Sequence, residues 1–166
     1  MAKVSGTQAQ AVTDLLLQTP GTASGKQAEA DWTGVLGEVP IFANLSARQV
    51  RGLAKIAKIK RVAPYTQIVR EGEPADAFFL ILDGNAVVRP PGKRVVKLGM
   101  GDFFGELALI DNSPRSATVE AQNEVLLARI ASKDFLKMLN KEPKVSLVLL
   151  RTLAARLRAS EASHRH

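Results

Sequence analysis

The chain contains no cysteine, and its two histidines, His164 and His166, both lie among the last three residues. The first absence removes disulfides, thiolate metal sites and cysteine nucleophiles together, and the second leaves no residue from which to build a histidine triad or a buried histidine metal centre. Aromatic residues make up only 5% of the 166 positions, too few for the stacking platforms that hold single-stranded nucleic acid. No run approaches the roughly 20 consecutive apolar residues of a membrane span. Met1-Ala-Lys-Val-Ser5 also lacks the apolar stretch and small-residue cleavage site of a secretory signal, so a cytoplasmic protein is expected. The composition itself is globular, 46% hydrophobic and 23% charged, and the length suits one domain of about 100–200 residues with a tail. The 23 Lys and Arg against 16 Asp and Glu give a net charge of +7, which invites nucleic acid, an acidic surface or a small anion.

Residues 1–30 are poor in large apolar side chains apart from Val12, Leu15, Leu16 and Leu17, and they end in the linker-like Thr19-Pro-Gly-Thr-Ala-Ser-Gly-Lys26. They are expected to be a flexible or partly helical extension, because the i, i+3, i+4 patch spans little more than one turn. Residues 31–160 form the expected domain, and residues 161–166 a tail. Ser46 and Gln49 form a capping box, stapled by Leu45 and Val50, so a helix starts near Ala47 and turns Val50, Leu53, Ile56 and Ala57 inward. From about Ile59 to Ala131 the pattern becomes short β-rich runs: Thr66–Arg70, Ala77–Leu82, Asn85–Arg89, Arg94–Leu98, Ala117–Ala121 and Val125–Ile130, with turn residues between them. Ser132 suits the N-cap of a short helix carrying Phe135, Met138 and Leu139, and Pro143 the first turn of a final one. There Leu147, Leu150, Ala154 and Leu157 have the a/d spacing of a helix pair, with Arg151, Arg156 and Arg158 outside the seam. Packing of this stripe on its own barrel and homodimerisation through it are both open. The fold class is α+β: an antiparallel β-barrel or jelly roll of about eight short strands, a helical segment before it, one short helix within it and helices after it.

Two enzyme-like motifs fail on spacing. Gly21-Thr-Ala-Ser-Gly-Lys26 has its glycines one residue too close for a phosphate loop, and Gln27 stands where Ser or Thr should bind magnesium. Gly99-Met-Gly-Asp-Phe-Phe-Gly105 displaces the third glycine of the dinucleotide fingerprint and follows a meander strand. Glu71 and Glu73 sit in a turn and read as surface charge. No catalytic constellation or cofactor site is found. One segment stands apart, Phe104-Gly-Glu-Leu-Ala-Leu-Ile-Asp-Asn-Ser-Pro-Arg-Ser-Ala-Thr-Val119. Gly105 permits a tight turn, and Glu106–Ile110 can form one helical turn whose free amides favour an anion. Arg115 supplies a planar charged fork for phosphate oxygens, with Ser116 beside it. Glu106 would repel phosphate but can accept a sugar hydroxyl, so the pair describes a sugar phosphate. The bland alternative is a Glu placed for the helix dipole and an Arg115 that pairs with Glu106 or lies in solvent.

These residues resemble the phosphate-binding cassette of the cyclic-nucleotide-binding domain family, the module of the catabolite activator protein, the cAMP-dependent kinase regulatory subunit and the cyclic-nucleotide-gated channels. The match runs through Phe104–Leu109 and Pro114–Val119 without insertion, and it extends to Val39-Pro-Ile-Phe42, Leu45, Glu71-Gly-Glu-Pro74, Leu80–Gly84 and residues 133–158. The resemblance implies that Arg115 binds the exocyclic oxygens of a cyclic phosphate with help from Ser116 and Ala117. It also implies that Glu106 accepts from the ribose 2′-hydroxyl and that the amides of Gly105, Leu107 and Ala108 line the phosphate and ribose. Serine after the arginine favours cAMP, although its hydroxyl can also reach the amino group of cGMP. One departure is Tyr65 after Pro64, where relatives often have Gly; a type I or remodelled turn is expected.

Three readings follow. The first is a stand-alone cyclic-nucleotide receptor, not an enzyme, in which ligand moves the Pro143–Glu161 helix, Leu150 or a neighbour covers the base, and an unidentified effector protein responds. The second is a nucleic-acid-binding protein, weakened because no basic recognition helix is apparent. The third is a scaffold that has lost ligand binding, weakened because Arg115 and Glu106 are both present.

Overall fold

The computed structural model describes residues 33–163. The patch at Val12–Leu17, the linker after it, Trp32, His164 and His166 lie outside the described residues. A leading unit consists of α1 (Thr33–Glu38), a 3-10 turn (Pro40–Phe42) and α2 (Ala47–Ile56). Ser46 and Gln49 form the reciprocal capping box that starts α2. Eight strands follow: β1 (Ala57–Val62), β2 (Gln67–Val69), β3 (Ala77–Asp83), β4 (Ala86–Arg89), β5 (Val96–Leu98), β6 (Phe103–Phe104), β7 (Thr118–Ala121) and β8 (Val125–Ala131). Between β6 and β7 lies α3 (Glu106–Ile110); after β8 come α4 (Ser132–Lys141) and α5 (Pro143–Ser163).

The strands make two antiparallel four-stranded sheets, ordered β1-β8-β3-β6 and β2-β7-β4-β5. The first sheet has apolar residues on both faces. On β3, Phe78, Leu80 and Leu82 pack against the helices while Ala77, Phe79 and Ile81 face the second sheet. β8 divides the same way, with Leu126, Ala128 and Ile130 toward the helices and Val125 and Leu127 inward. A period of two is therefore present in both strands, hidden in an unbroken apolar run because neither face meets water. Phe78 stacks on Phe135 of α4 at 4.5 Å and tilts against Phe103 at 5.6 Å, which fastens α4 to the barrel.

The sequence expectations are corrected at four places. Ala57 and the charged residues after it belong to β1, not to the helix region, because β1 pairs with β8 over six rungs from Ala57↔Ile130 to Val62↔Val125. Ser132 does not cap α4: Ala131 holds the cap position without a side-chain bond, and the Ser132 amide is tied to the Asp76 carbonyl at 2.9 Å. Tyr65 has φ +65°, and the Thr66 amide donates to the Ala63 carbonyl at 3.3 Å. The turn thus keeps the left-handed residue of type II without the glycine that makes it easy. Finally, Leu147, Leu150, Ala154 and Leu157 are exposed, Leu150 at 62%. α5 packs on the barrel through Val145 and Leu149, an i, i+4 face turned away from the a/d seam.

Candidate functional site

The segment singled out in the sequence runs from the end of β6 through α3 and a loop into β7. Gly105 caps α3 with φ 90° and ψ 0°. A Cβ at this position would stand 2.7 Å from Nη1 of Arg115 and 3.1 Å from the Ala77 carbonyl oxygen. Glycine is therefore required both by the left-handed backbone and by the side chain lying against it. Phe104, in register with Phe79 and stacked on it at 5.1 Å, fixes the strand from which α3 departs.

Arg115 is only 5% exposed. Its Nη1 donates to the Gly105 carbonyl at 3.0 Å and its Nη2 to the Ala77 carbonyl at 2.7 Å. Nη2 also lies 3.6 Å from Asp76, which is shared with Arg129 at 3.1 Å, and the guanidinium sits 5.7 Å above the Phe79 ring. The main chain of Arg115 is held equally firmly: its amide donates to Glu73 at 2.9 Å and its carbonyl accepts from Gly72 at 2.8 Å. Glu71 and Glu73 are exposed as expected, but the loop carrying them is a strap across the arginine. Burial pulls the guanidinium below its ordinary value while Asp76 and then Glu106 oppose the shift. It stays charged, since a guanidinium is not deprotonated in proteins. A fork with five N–H groups that spends two on carbonyls keeps donors for an anion in the cavity.

Glu106 is 2% exposed. It is not paired with Arg115; its Oε1 accepts from Nη1 of Arg156 at 2.9 Å. Arg156 also donates to the Phe103 carbonyl at 3.0 Å and lies over the Phe103 ring at 4.9 Å. Burial pushes the Glu106 carboxyl above the usual carboxylate range, and Arg156 is the largest influence pulling it back. A buried carboxylate tied to the last helix of the fold couples barrel and helix by charge.

All seven residues named from the sequence, Gly105, Glu106, Leu107, Ala108, Arg115, Ser116 and Ala117, line one cavity. Val69, Val88 and Val119 of the second sheet supply an apolar wall. Arg156 is the α5 residue in the lining; Leu150, expected over the base, is not among the lining residues. Sequence reading placed Arg156 merely outside the a/d seam. The signal that finds it is the other face of α5: Val145 and Leu149 set the inward row, and Arg156 continues it seven residues after Leu149. Among the described residues no cluster of His, Cys, Asp and Glu could hold a metal ion, and no helix is long and apolar enough to cross a membrane.

Comparison with known proteins gives these features a setting. Residues 59–142, about half of the chain, match the family described as cyclic nucleotide-binding domain. The cAMP-dependent protein kinase regulatory subunit of Yarrowia lipolytica is 36% identical over 115 residues, covering 68% of this chain and 31% of the relative. A solved structure described as Sp-2Cl-cAMPS bound to PKAR CBD2 superposes with a TM-score of 0.71 at 30% identity, covering 80% of this chain and 89% of that one. The regulatory subunit of a cAMP-independent protein kinase A from Trypanosoma brucei superposes with a TM-score of 0.67 at 27% identity, covering 73% and 44%. The chain thus spans about a third of the length of the curated relatives it matches. Since similar folds include one described as cAMP-independent, the residues inside the cavity have to carry the functional argument.

Proposed function

As this chain belongs to the cyclic nucleotide-binding domain family, we propose that it is a regulatory module whose cavity takes a 3′,5′-cyclic mononucleotide, cAMP in preference to cGMP. The observation that carries the reading is the pair of buried opposite charges in one cavity: Arg115, clamped by two carbonyls with donors to spare, and Glu106, an acceptor close to it. Arg115 holds the cyclic phosphate, with the α3 amides of Leu107 and Ala108 and the amide of Gly105 around phosphate and ribose, and Ser116 and Ala117 beside the arginine. Glu106 keeps its second oxygen for the ribose 2′-hydroxyl while the first remains on Arg156. The apolar wall of Val69, Val88 and Val119 suits adenine, because guanine would bury an amino group and a carbonyl with little beyond the Ser116 hydroxyl to meet them. None of these residues makes or breaks a bond, so the module is a receptor and not an enzyme.

The same contacts provide the output. Arg156 reports on Glu106 from α5, so a ligand that draws on Glu106 shifts the position or the stability of α5, and through it whatever packs on that helix. The exposed seam of Leu147, Leu150, Ala154 and Leu157 is the surface through which α5 would meet a second helix, either a second copy or an effector. A second reading, a scaffold without ligand, draws support from Arg156, which already satisfies one oxygen of Glu106. Thermal unfolding against a panel of cyclic mono- and dinucleotides separates the two. A ligand at about 100 times its Kd adds about 2.7 kcal/mol, or roughly 5–10 °C for a chain of this size. cAMP should give that rise and cGMP a smaller one; no response to any cyclic nucleotide would favour the scaffold.

A further inference from the structure

A second concavity lies between α2 and α4, on the opposite side of the first sheet from the barrel interior. Its walls are Gln49, Gly52 and Ile56 of α2 and Asp134, Lys137 and Lys141 of α4, over a floor of Leu45, Leu53 and Met138. The Gln49 side-chain amide, in the first turn of α2, donates to the Glu142 carboxylate, just after α4, at 2.5 Å.

Three properties of this groove are not accounted for by the packing of the fold. Gly52 sits exposed in the middle of α2, where glycine is the poorest helix former after proline, yet a Cβ there would meet nothing within 4 Å. Packing does not demand it; its effect is to leave the groove open. Lys133, Lys137 and Lys141 form an i, i+4, i+8 row along α4, and Arg48, Arg51 and Lys55 a matching row along α2 beside the Gly52 face. All six are exposed and none forms an ion pair among the described residues, so each row repels itself. Between the rows Leu45 and Ile56 stay only partly buried.

The trough is lined by Lys137 and Lys141, with Asp134 and the Gln49-bound Glu142 as its acidic residues, and Lys133, Arg48, Arg51 and Lys55 lie on the exposed surface outside it. This net positive surround has a charge complement, an amphipathic helix whose apolar stripe is flanked by acidic residues. We propose that the α2–α4 groove is a docking site for such an acidic helix of a partner protein. A concave, two-rimmed groove suits a helix better than the flat face of an anionic bilayer does. The inference is independent of the nucleotide reading, and either can fail alone.

The test uses fluorescence polarisation of a synthetic amphipathic helix with leucines on one face and glutamates beside them, titrated with the full chain. The glutamate peptide should bind, with an affinity that falls as salt rises, while a lysine-flanked counterpart does not. The double change Lys137→Glu with Lys141→Glu should weaken binding roughly tenfold or more. Gly52→Leu fills the trough while improving the helix, so it should abolish binding with an unlowered melting temperature, which separates a lost site from a lost fold. Four results would overturn the proposal: no binding of the glutamate peptide, equal binding by both variants, tighter binding of a peptide of residues 8–18 of this chain, or binding only to phosphatidylserine vesicles.

Discussion

Replacing Gly105 by alanine tests whether the cavity is built around the position of Arg115. The change acts in two ways. Alanine in the left-handed region costs about 1–2 kcal/mol relative to glycine. The new Cβ would also stand 2.7 Å from Nη1 of Arg115, well inside the roughly 3.5–4 Å of a comfortable contact. Arg115 cannot swing into solvent, being buried and tied to Gly105 and Ala77, so it must give up much of one charge-assisted bond, about 1.5–3 kcal/mol. The expected total is about 3–5 kcal/mol, or roughly 10 °C in melting temperature. Gly92→Ala is the control: its φ is +65° and its Cβ would meet nothing within 4 Å, so it carries the backbone cost alone. Calorimetry with cAMP should then show near-normal affinity for Gly92→Ala and a loss of at least about tenfold for Gly105→Ala, the loss of about 1.4 kcal/mol of binding. Equal melting temperatures for the two variants, with unchanged affinity in Gly105→Ala, would refute the reasoning.

Tyr65→Gly should raise stability by roughly 0.5–1 kcal/mol in chemical denaturation, since the 73%-exposed ring gives up little packing and the left-handed strain exceeds the added freedom of the unfolded chain; a loss of stability would mean that the ring holds the turn. The raised pKa of Glu106 means that its favourable contribution is present below the unfolded-state value and is lost as pH rises through the folded one. Glu106→Gln should therefore leave the unliganded protein at least as stable at neutral pH and flatten the fall in its stability as pH rises above the ordinary carboxylate range, while cAMP affinity falls about tenfold; a clear drop in neutral-pH melting temperature would contradict this. Arg156→Ala should cost about 1–3 kcal/mol of stability, because Arg156 is partly exposed but its partner Glu106 is buried and loses this bond. In hydrogen exchange, it should remove the cAMP-induced protection expected in α5 of the parent chain; unchanged ligand-induced protection would show that α5 is coupled by another route.

Much of this arrangement was legible in the sequence, and the exceptions share a cause. The apolar runs of β3 and β8, the capping box of α2 and the Phe104–Val119 segment all carry local signals, from periodicity, from side-chain caps and from a glycine next to a helical turn. β1 carries none: Lys58, Lys60 and Arg61 look like the continuation of a basic helix, and it is pairing with β8 that makes them a strand. The seam of α5 was visible but its orientation was not, because a helix with Val145 and Leu149 on one side and Leu147 and Leu150 on another offers two apolar faces, and only contact with the barrel selects one. Arg156 lies fifty residues beyond Glu106 in the chain, so their pairing depends on where α5 is placed. Tyr65 reverses a reasonable expectation: the amide of Tyr65 bonds to the Ala121 carbonyl at 2.7 Å, and this ladder contact holds the turn in a form its side chain disfavours.

The central claim is that Arg115 makes this cavity an anion site for a cyclic mononucleotide. Isothermal titration of cAMP into the parent chain and into Arg115→Ala tests it most directly. Saturable one-site binding by the parent is expected, with affinity reduced by about 2–5 kcal/mol in the variant, roughly 30-fold to several thousand-fold. Equal cAMP affinity in the two proteins, or no binding by the parent chain, would contradict the claim.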